Sequence, residues 1–312
     1  MELFKREKMP KTFRKGSVIF IISMLIISIV WFIVFYLIVN INSIIMAFRT
    51  ITGIDDYGRI TMVWSLENFA LVFHDLSIQG SELQVAMINS LKYSGLNILF
   101  ITPLTYFFSY FLYKKILLHK FFRVLFYLPS IISAVTMVII FKNLIGFGGP
   151  IYELAEALGT KLPPLLTSAR YATSTIMVYC VWVGFGVNLI LYQGAMGRIP
   201  EEVIDAGRID GVSWWRELFC IITPMVWSTI SMTLILAVTG LFTVNVPILI
   251  FGTGGAYDTW TIAFYIFTRV QSQSSGALNY PAAIGVFFTI ISLPIVFGFR
   301  WIMNKVDPKV EY

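Results

Sequence analysis

The stretch Ile199–Pro224 reads IPEEVIDAGRIDGVSWWRELFCIITP and is a charged interlude between two hydrophobic runs. Pro200 suits the first helical position, where its missing N–H goes unneeded, and Glu201 and Glu202 favour a helix N-terminus. The pattern predicts a short helix from Pro200 to about Asp210, ended by Gly211 in the left-handed geometry. Ser213 is expected to cap a second helix, which climbs through Trp214–Cys220 into the run beginning at Ile221. Ala206 and Gly207 put almost no side chain on one face, so another protein's backbone could come close there, beside the charge of Asp205. The stretch reads as an amphipathic knob between two membrane spans.

Composition outside the knob supports a membrane setting. The 312 residues are 57% hydrophobic and only 13% charged, with a mean hydropathy of +0.79. A soluble domain is nearer one-quarter charged. The net charge of +6 does not point to nucleic acid, because the basic residues flank apolar runs instead of sharing one face. Cys180 and Cys220 imply no disulfide framework and read as small packing residues.

The chain begins with a basic segment, residues 1–16, ahead of an uncharged run from Ser17 to Phe48. That run is too long for a signal-peptide core and is expected to be an uncleaved first span. With a polar external loop carrying a short helix near Leu66–Phe73, it forms a unit over residues 17–86. A five-helix core is expected over 87–303. Its spans are about Met87–Tyr113, Val124–Phe141 (kinked at Pro129), Tyr171–Tyr192, Ile221–Phe251 and Pro281–Met303. A small external helix is expected at Ile151–Leu158, and Trp260–Phe267 as a run dipping into the outer interface. Residues 304–312 form a polar tail. Lys92 falls within the first two turns of the second span, from which it can snorkel outward. Sixteen Lys and Arg residues fall on the side of the termini and the 199–224 loop, against six in the opposite loops. Both termini are therefore expected inside, with six helices crossing the bilayer.

The spacing within 199–224 resembles the EAA loop of ATP-binding-cassette importer permeases. Asp205-Ala206-Gly207 is followed three residues later by Gly211, and Ile221 and Pro224 close the pattern. Asp205 stands where the family has Glu, Gly207 where it has a second Ala, and Thr223 where it has Leu. Leu66-Glu67-Asn68-Phe69, Asn89-Ser90-Leu91 and Gly254-Gly255 are similar to motifs of the maltose and glycerol-phosphate permease branch, so the likeness runs from about Leu66 to Pro308. The resemblance implies an all-α, type I importer permease bundle in a bacterial inner or plasma membrane. It implies that this chain forms half a pore with a second, homologous permease subunit. Two ATPase subunits beneath would carry ATP and Mg, and an extracellular sugar-binding protein would deliver the substrate. The residues meeting an ATPase would be Glu202, Asp205, Ala206, Gly207, Asp210 and Gly211. An exposed ion pair there is worth only about 0–1 kcal/mol, so shape should dominate the docking.

No cofactor and no metal is expected in this chain. It has no G-x-x-x-x-G-K-[ST] phosphate loop, and His74 and His119 lie in separate predicted loops. Nor is it expected to be an enzyme, since no Asp or Glu falls clearly inside a span. In the maltose branch the sugar lies between the spans flanking the coupling loop. Aligned from the loop, Trp182 and Gly184 match that branch, while its polar positions fall on Val187, Ala237, Leu241 and Val244. Nearby polar or aromatic groups supply the expected sugar path: Tyr179, Trp182, Gly184, Asn188, Thr239, Thr243 and Asn245. Thr239 and Thr243, one helical turn apart, are expected to share a face. The alternative reading is a secondary, ion-coupled transporter, which would call for midplane charges or broken helices and for repeated halves.

Overall fold

The computed structural model describes residues 15–54, 60–244, 246–272, 278–308 and 310. The basic segment expected over residues 1–16 and part of the polar tail therefore lie outside the described residues.

The first span, α1 (Phe20–Ala47), is continuous through a π-helical segment at Ile33–Leu37. Its side chains are uncharged, apolar but for a few Ser and Asn, and exposed almost to the end, where Ala47 is the first to be buried. Such a surface needs a lipid or protein neighbour. The loop after it holds a feature that its polar composition concealed. An antiparallel hairpin, β1 (Arg49–Ile54) and β2 (Ile60–Trp64), precedes the expected short helix, α2 (Glu67–Ser77). Asn68 explains the Leu66–Phe69 motif. Its buried amide donates to the carbonyls of Ala47 and Arg49, at 3.2 and 2.8 Å, and so ties α2 to the exit of α1.

The core opens with α3 (Glu82–Tyr113), which also contains a π segment, Asn97–Ile101. The third span departs from expectation. Instead of one helix kinked at Pro129 there are two, α4 (His119–Ile131) and α5 (Ala134–Ile145), broken at Ile132–Ser133 where the backbone becomes extended. The small helix α6 (Pro150–Ala157) lies where it was expected. The fourth span is α7 (Ala172–Val183) and α8 (Gly186–Met196). Then come the short α9 (Glu201–Ile209), α10 (Trp214–Met225) and α11 (Trp227–Thr239). The expected single span Ile221–Phe251 is corrected here. The chain bends by 80° between α10 and α11, and α11 ends at Gly240 before α12 (Val246–Phe251). Two further helices, α13 (Ile262–Ser272) and α14 (Asn279–Val306), complete the described chain. Among the described residues, five helical stretches, one of them α5 with α6 (Ala134–Ala157), are long and apolar enough to cross a membrane, or six with the bent pair taken as one span.

Three apolar clusters hold the bundle. At the hairpin end, Val72, Leu83, Tyr265 and Ile284 join α2, α3, α13 and α14. In the middle, Tyr93, Phe141, Tyr179, Phe251 and Phe264 form the second, in which Tyr179 meets Phe141 and Phe251 edge to face. At the end that carries α9, Tyr110, Tyr192, Met196, Ile204, Leu218 and Ile222 form the third. Buried polar groups of α3 fix the returning loop. Asn89 donates to the carbonyls of Asp258 and Trp260, Ser90 accepts from the Ile262 N–H, and Ser94 donates to the Leu241 carbonyl. Gly255 of the glycine pair lies at φ +81° beneath Trp260, where a Cβ would come within 2.1 Å of the indole. The sequence Trp260–Phe267 is packed into this core, with Ile262, Phe264 and Tyr265 buried, and does not lie flat on a surface.

Candidate coupling helix and transmembrane cavity

Helix α9 starts one residue later than expected, with Pro200 as the extended residue before it. Glu201 and Glu202 occupy its first turn, and Arg208 its last, each at the favourable end of the helix dipole. Gly211 takes φ +66°, as its position predicted. That turn lets the Val212 N–H reach the Gly207 carbonyl (3.0 Å) and the Gly211 N–H reach that of Arg208 (3.1 Å), satisfying the last carbonyls. Asp210 is the exposed residue at the C-terminal boundary.

The helix has two unlike faces. Ile204 and Gly207 are buried against the chain, and a Cβ on Gly207 would lie 2.8 Å from Ile221 Cδ1. Gly207 thus permits close approach to this chain's own α10, where a foreign backbone was anticipated. Glu202, Asp205 and Ala206 remain on the exposed face with Ile209, which is 86% exposed. Asp205 accepts from Arg208 within the helix at 2.8 Å, and both side chains are mostly in solvent. The outward face is therefore small, partly apolar and weakly acidic.

Beneath the inward face the chain is strongly tied. Lys114, in the turn after α3, donates to Glu217 on α10 at 2.6 Å, and Glu217 is 93% buried. Tyr110 donates to the Trp214 carbonyl (3.4 Å), and the hydroxyls of Tyr106 and Thr223 meet at 2.8 Å. Thr223, the departure from the family's Leu, thus has a specific partner. Ser213 occupies the N-cap position of α10 but makes no side-chain cap hydrogen bond. Its backbone carbonyl accepts from Glu217 N–H instead.

Within the bundle, α3, α7, α8, α11 and α12 border an open cavity of about 410 Å³. Gly184, Asn188 and Thr243 line it together with Tyr93, Asn97 and Cys180. Tyr179 and Trp182 do not. Tyr179 is buried between Phe141 and Phe251, and the Trp182 ring lies 6.0 Å from that of Phe141. Thr239 is exposed and bonds the Leu236 carbonyl, while Thr243 lies past the helix end and bonds that of Gly240. The two threonines do not share a helical face, because α11 stops between them. Asn245 falls outside the described residues. Ala237 and Val244, at the maltose branch's polar positions, also line the cavity. Sequence reasoning missed the α3 contribution, although Tyr93 and Asn97 stand one helical turn apart on that helix. Among the described residues, no group of three His, Cys, Asp or Glu side chains could hold a metal ion.

A family model described as binding-protein-dependent transport system inner membrane component matches residues 101–312. The lactose transport system permease protein of Rhizobium radiobacter is 28% identical over 57% of this chain and 60% of its own length. The multiple sugar-binding transport system permease protein of Streptococcus mutans is also 28% identical, over 55% and 59%. The arabinooligosaccharides transport system permease protein of Bacillus subtilis is 22% identical over 85% and 82%. The chain spans about 60% of the length of the first two. In fold, it is similar to a chain of a bacterial transporter that imports the acidic polysaccharide alginate. The TM-score is 0.79, with 93% of this chain and 97% of that one covered, at 20% identity.

Proposed function

Because the chain belongs to the binding-protein-dependent transport system inner membrane component family, we propose that it is the permease subunit of an ATP-driven importer of sugars or oligosaccharides. Relatives named as lactose, multiple-sugar and arabinooligosaccharide permeases support the substrate class. In this reading the chain forms half of a pore with a second permease. Two ATPases bind beneath, carrying ATP and Mg, and an external sugar-binding protein loads the pore. Both termini lie inside, in keeping with the distribution of Lys and Arg.

The observation that carries the reading is the seating of α9. Its inner face is locked to α10 through Gly207 and Ile221, and α10 is locked to α3 through Glu217 and Lys114. Its outer face, with Ala206 and Ile209, is left exposed among the described residues. A push on α9 would pass to α10 and across the 80° bend to α11, which borders the cavity through Ala237 and Gly240. An ion-coupled transporter is disfavoured by the family match. Broken helices, which were to mark that alternative, are present here and do not separate the two.

Purification from native membranes tests this: a second permease and ATPases should co-elute. Ala206→Trp or Asp205→Lys should abolish uptake and ATPase coupling while the protein stays inserted. Wild-type uptake by both variants would overturn the role given to α9.

A further inference from the structure

A second cavity, of about 370 Å³, lies along the same two helices, nearer the hairpin end. Helical spacing sets it in line with the first along α3 and α7. On α7, Thr173 and Met177 line the second cavity, and Cys180, continuing the same face, lines the first with Gly184 just past the helix end. On α3, Lys92 belongs to the second cavity and Leu96, one turn on, to the first. The two spaces are therefore stacked along one face of the bundle. In the orientation expected from the charge count, the second is the outer vestibule.

This vestibule is basic. Lys92 and Arg170 both line it. Lys92 has no hydrogen-bond or ion-pair partner among the described residues, and Arg170 lies over the Tyr171 ring at 5.5 Å without a carboxylate partner there. Asp258 also lies on the rim, which leaves a net charge of one positive unit. Two of the neutral polar groups are already used: Asn89 and Thr173 donate to the Asp258 carbonyl, at 2.6 and 2.9 Å. Those bonds hold the loop at the rim, whose Tyr257 and Asp258 both have positive φ. Among the described residues the two cations, the Asp258 carboxylate and the Ser174 hydroxyl make no such bond, so the cations outnumber the anion two to one among the groups facing a ligand. A charged side chain on a membrane helix is costly in lipid and is expected to face water, a partner or a substrate.

We infer that Lys92 and Arg170 form an anion-selective vestibule, which receives the carboxylate of an acidic oligosaccharide before it enters the cavity. The inference rests on the importer reading and narrows its substrate class. Arg170 suits paired hydrogen bonds to a carboxylate, and Lys92 supplies a mobile point charge. Their field would also concentrate anionic sugars at the mouth.

The test uses the complex purified from membranes, with labelled trigalacturonate and neutral maltotriose as probes. In equilibrium dialysis at low salt, trigalacturonate should bind more tightly than maltotriose. Its affinity should fall roughly tenfold in Lys92→Gln/Arg170→Gln, the product of two charge contacts of roughly threefold each. Lys92→Arg/Arg170→Lys, which keeps both charges, should retain most of the binding, and about 0.5 M salt should remove the preference. Equal binding of the two sugars, or no loss on neutralising both cations, would overturn the vestibule. ATP-driven uptake in vesicles is read separately. Charge-dependent binding without uptake of either sugar would count against the importer reading and leave the anion site standing.

Discussion

Asn188 and Trp182 belong to one membrane span yet sit in different surroundings. Asn188 reaches the cavity from α8, whereas Trp182 packs beside Phe141. Substituting each with Ala should therefore give different outcomes. Asn188→Ala removes a polar group from the cavity wall and should lower uptake severalfold with little change in thermal stability. Trp182→Ala leaves a void in the middle cluster and should cost roughly 1–3 kcal/mol, below the range for a fully buried Trp because this one is only partly buried. Uptake per folded molecule, set beside the unfolding midpoint, checks both; a stable but transport-dead Trp182→Ala would place the sugar against the ring. These two environments were not legible in the sequence, where both residues read only as polar or aromatic groups near the right span. The missed α3 residues show why. Tyr93 and Asn97 lie far in sequence from Asn188 and Thr243, and only the packing of α3 against α7, α8 and α11 brings them into one space.

Among the elements, α9 was the most legible, because its ends are set by local chemistry. Acidic residues in the first turn and a left-handed glycine after the last are read directly from the chain. The spans were legible as apolar runs, but their breaks were not. The 80° turn at Val226 and the end of α11 at Gly240 depend on what α14 and α3 offer as neighbours. The same holds for the Lys114–Glu217 pair. Each residue alone reads as part of a charged loop, and only the fold brings the half-buried Lys114 to within 2.6 Å of the buried Glu217. Removing Lys114 strands the buried Glu217 carboxylate, at a cost of about 3–5 kcal/mol, and removing Glu217 costs less because Lys114 is only half-buried. Lys114→Met and Glu217→Leu should each destabilise the protein and loosen α10 from α3. The double variant should recover much of the stability, since an apolar pair of similar volume replaces the ion pair. The importer reading adds an expectation that stability does not cover. The apolar double variant should fold yet hydrolyse more ATP per sugar transported, because α10 no longer drags α3 rigidly. A normal ATP-to-sugar ratio in that variant would reduce the pair to a packing device.

For the whole molecule, the decisive property is how it sits in the bilayer. The lipid-like surface of α1 and the length of α3, α7 with α8, and α14 require a membrane but fix no direction. Direction is expected from charge, since the sequence puts sixteen of its Lys and Arg in the segments expected on the α9 side, against six in those expected opposite. The assembled fold makes this testable, because it places two bare side chains at opposite ends: Ile209, 86% exposed on α9, and Phe147, 92% exposed in the turn before α6. In a background with Cys180 and Cys220 replaced by Ala, a single cysteine at each position should report its side. A membrane-impermeant maleimide should label Phe147→Cys on intact cells and Ile209→Cys only after the membrane is opened. Once the ATPases are bound, labelling of Ile209→Cys should fall again while that of Phe147→Cys stays constant. Labelling of Ile209→Cys from outside intact cells would invert the orientation, placing both α9 and the Lys92–Arg170 vestibule on the wrong sides for import. Protection that did not depend on the ATPases would show that something else covers α9.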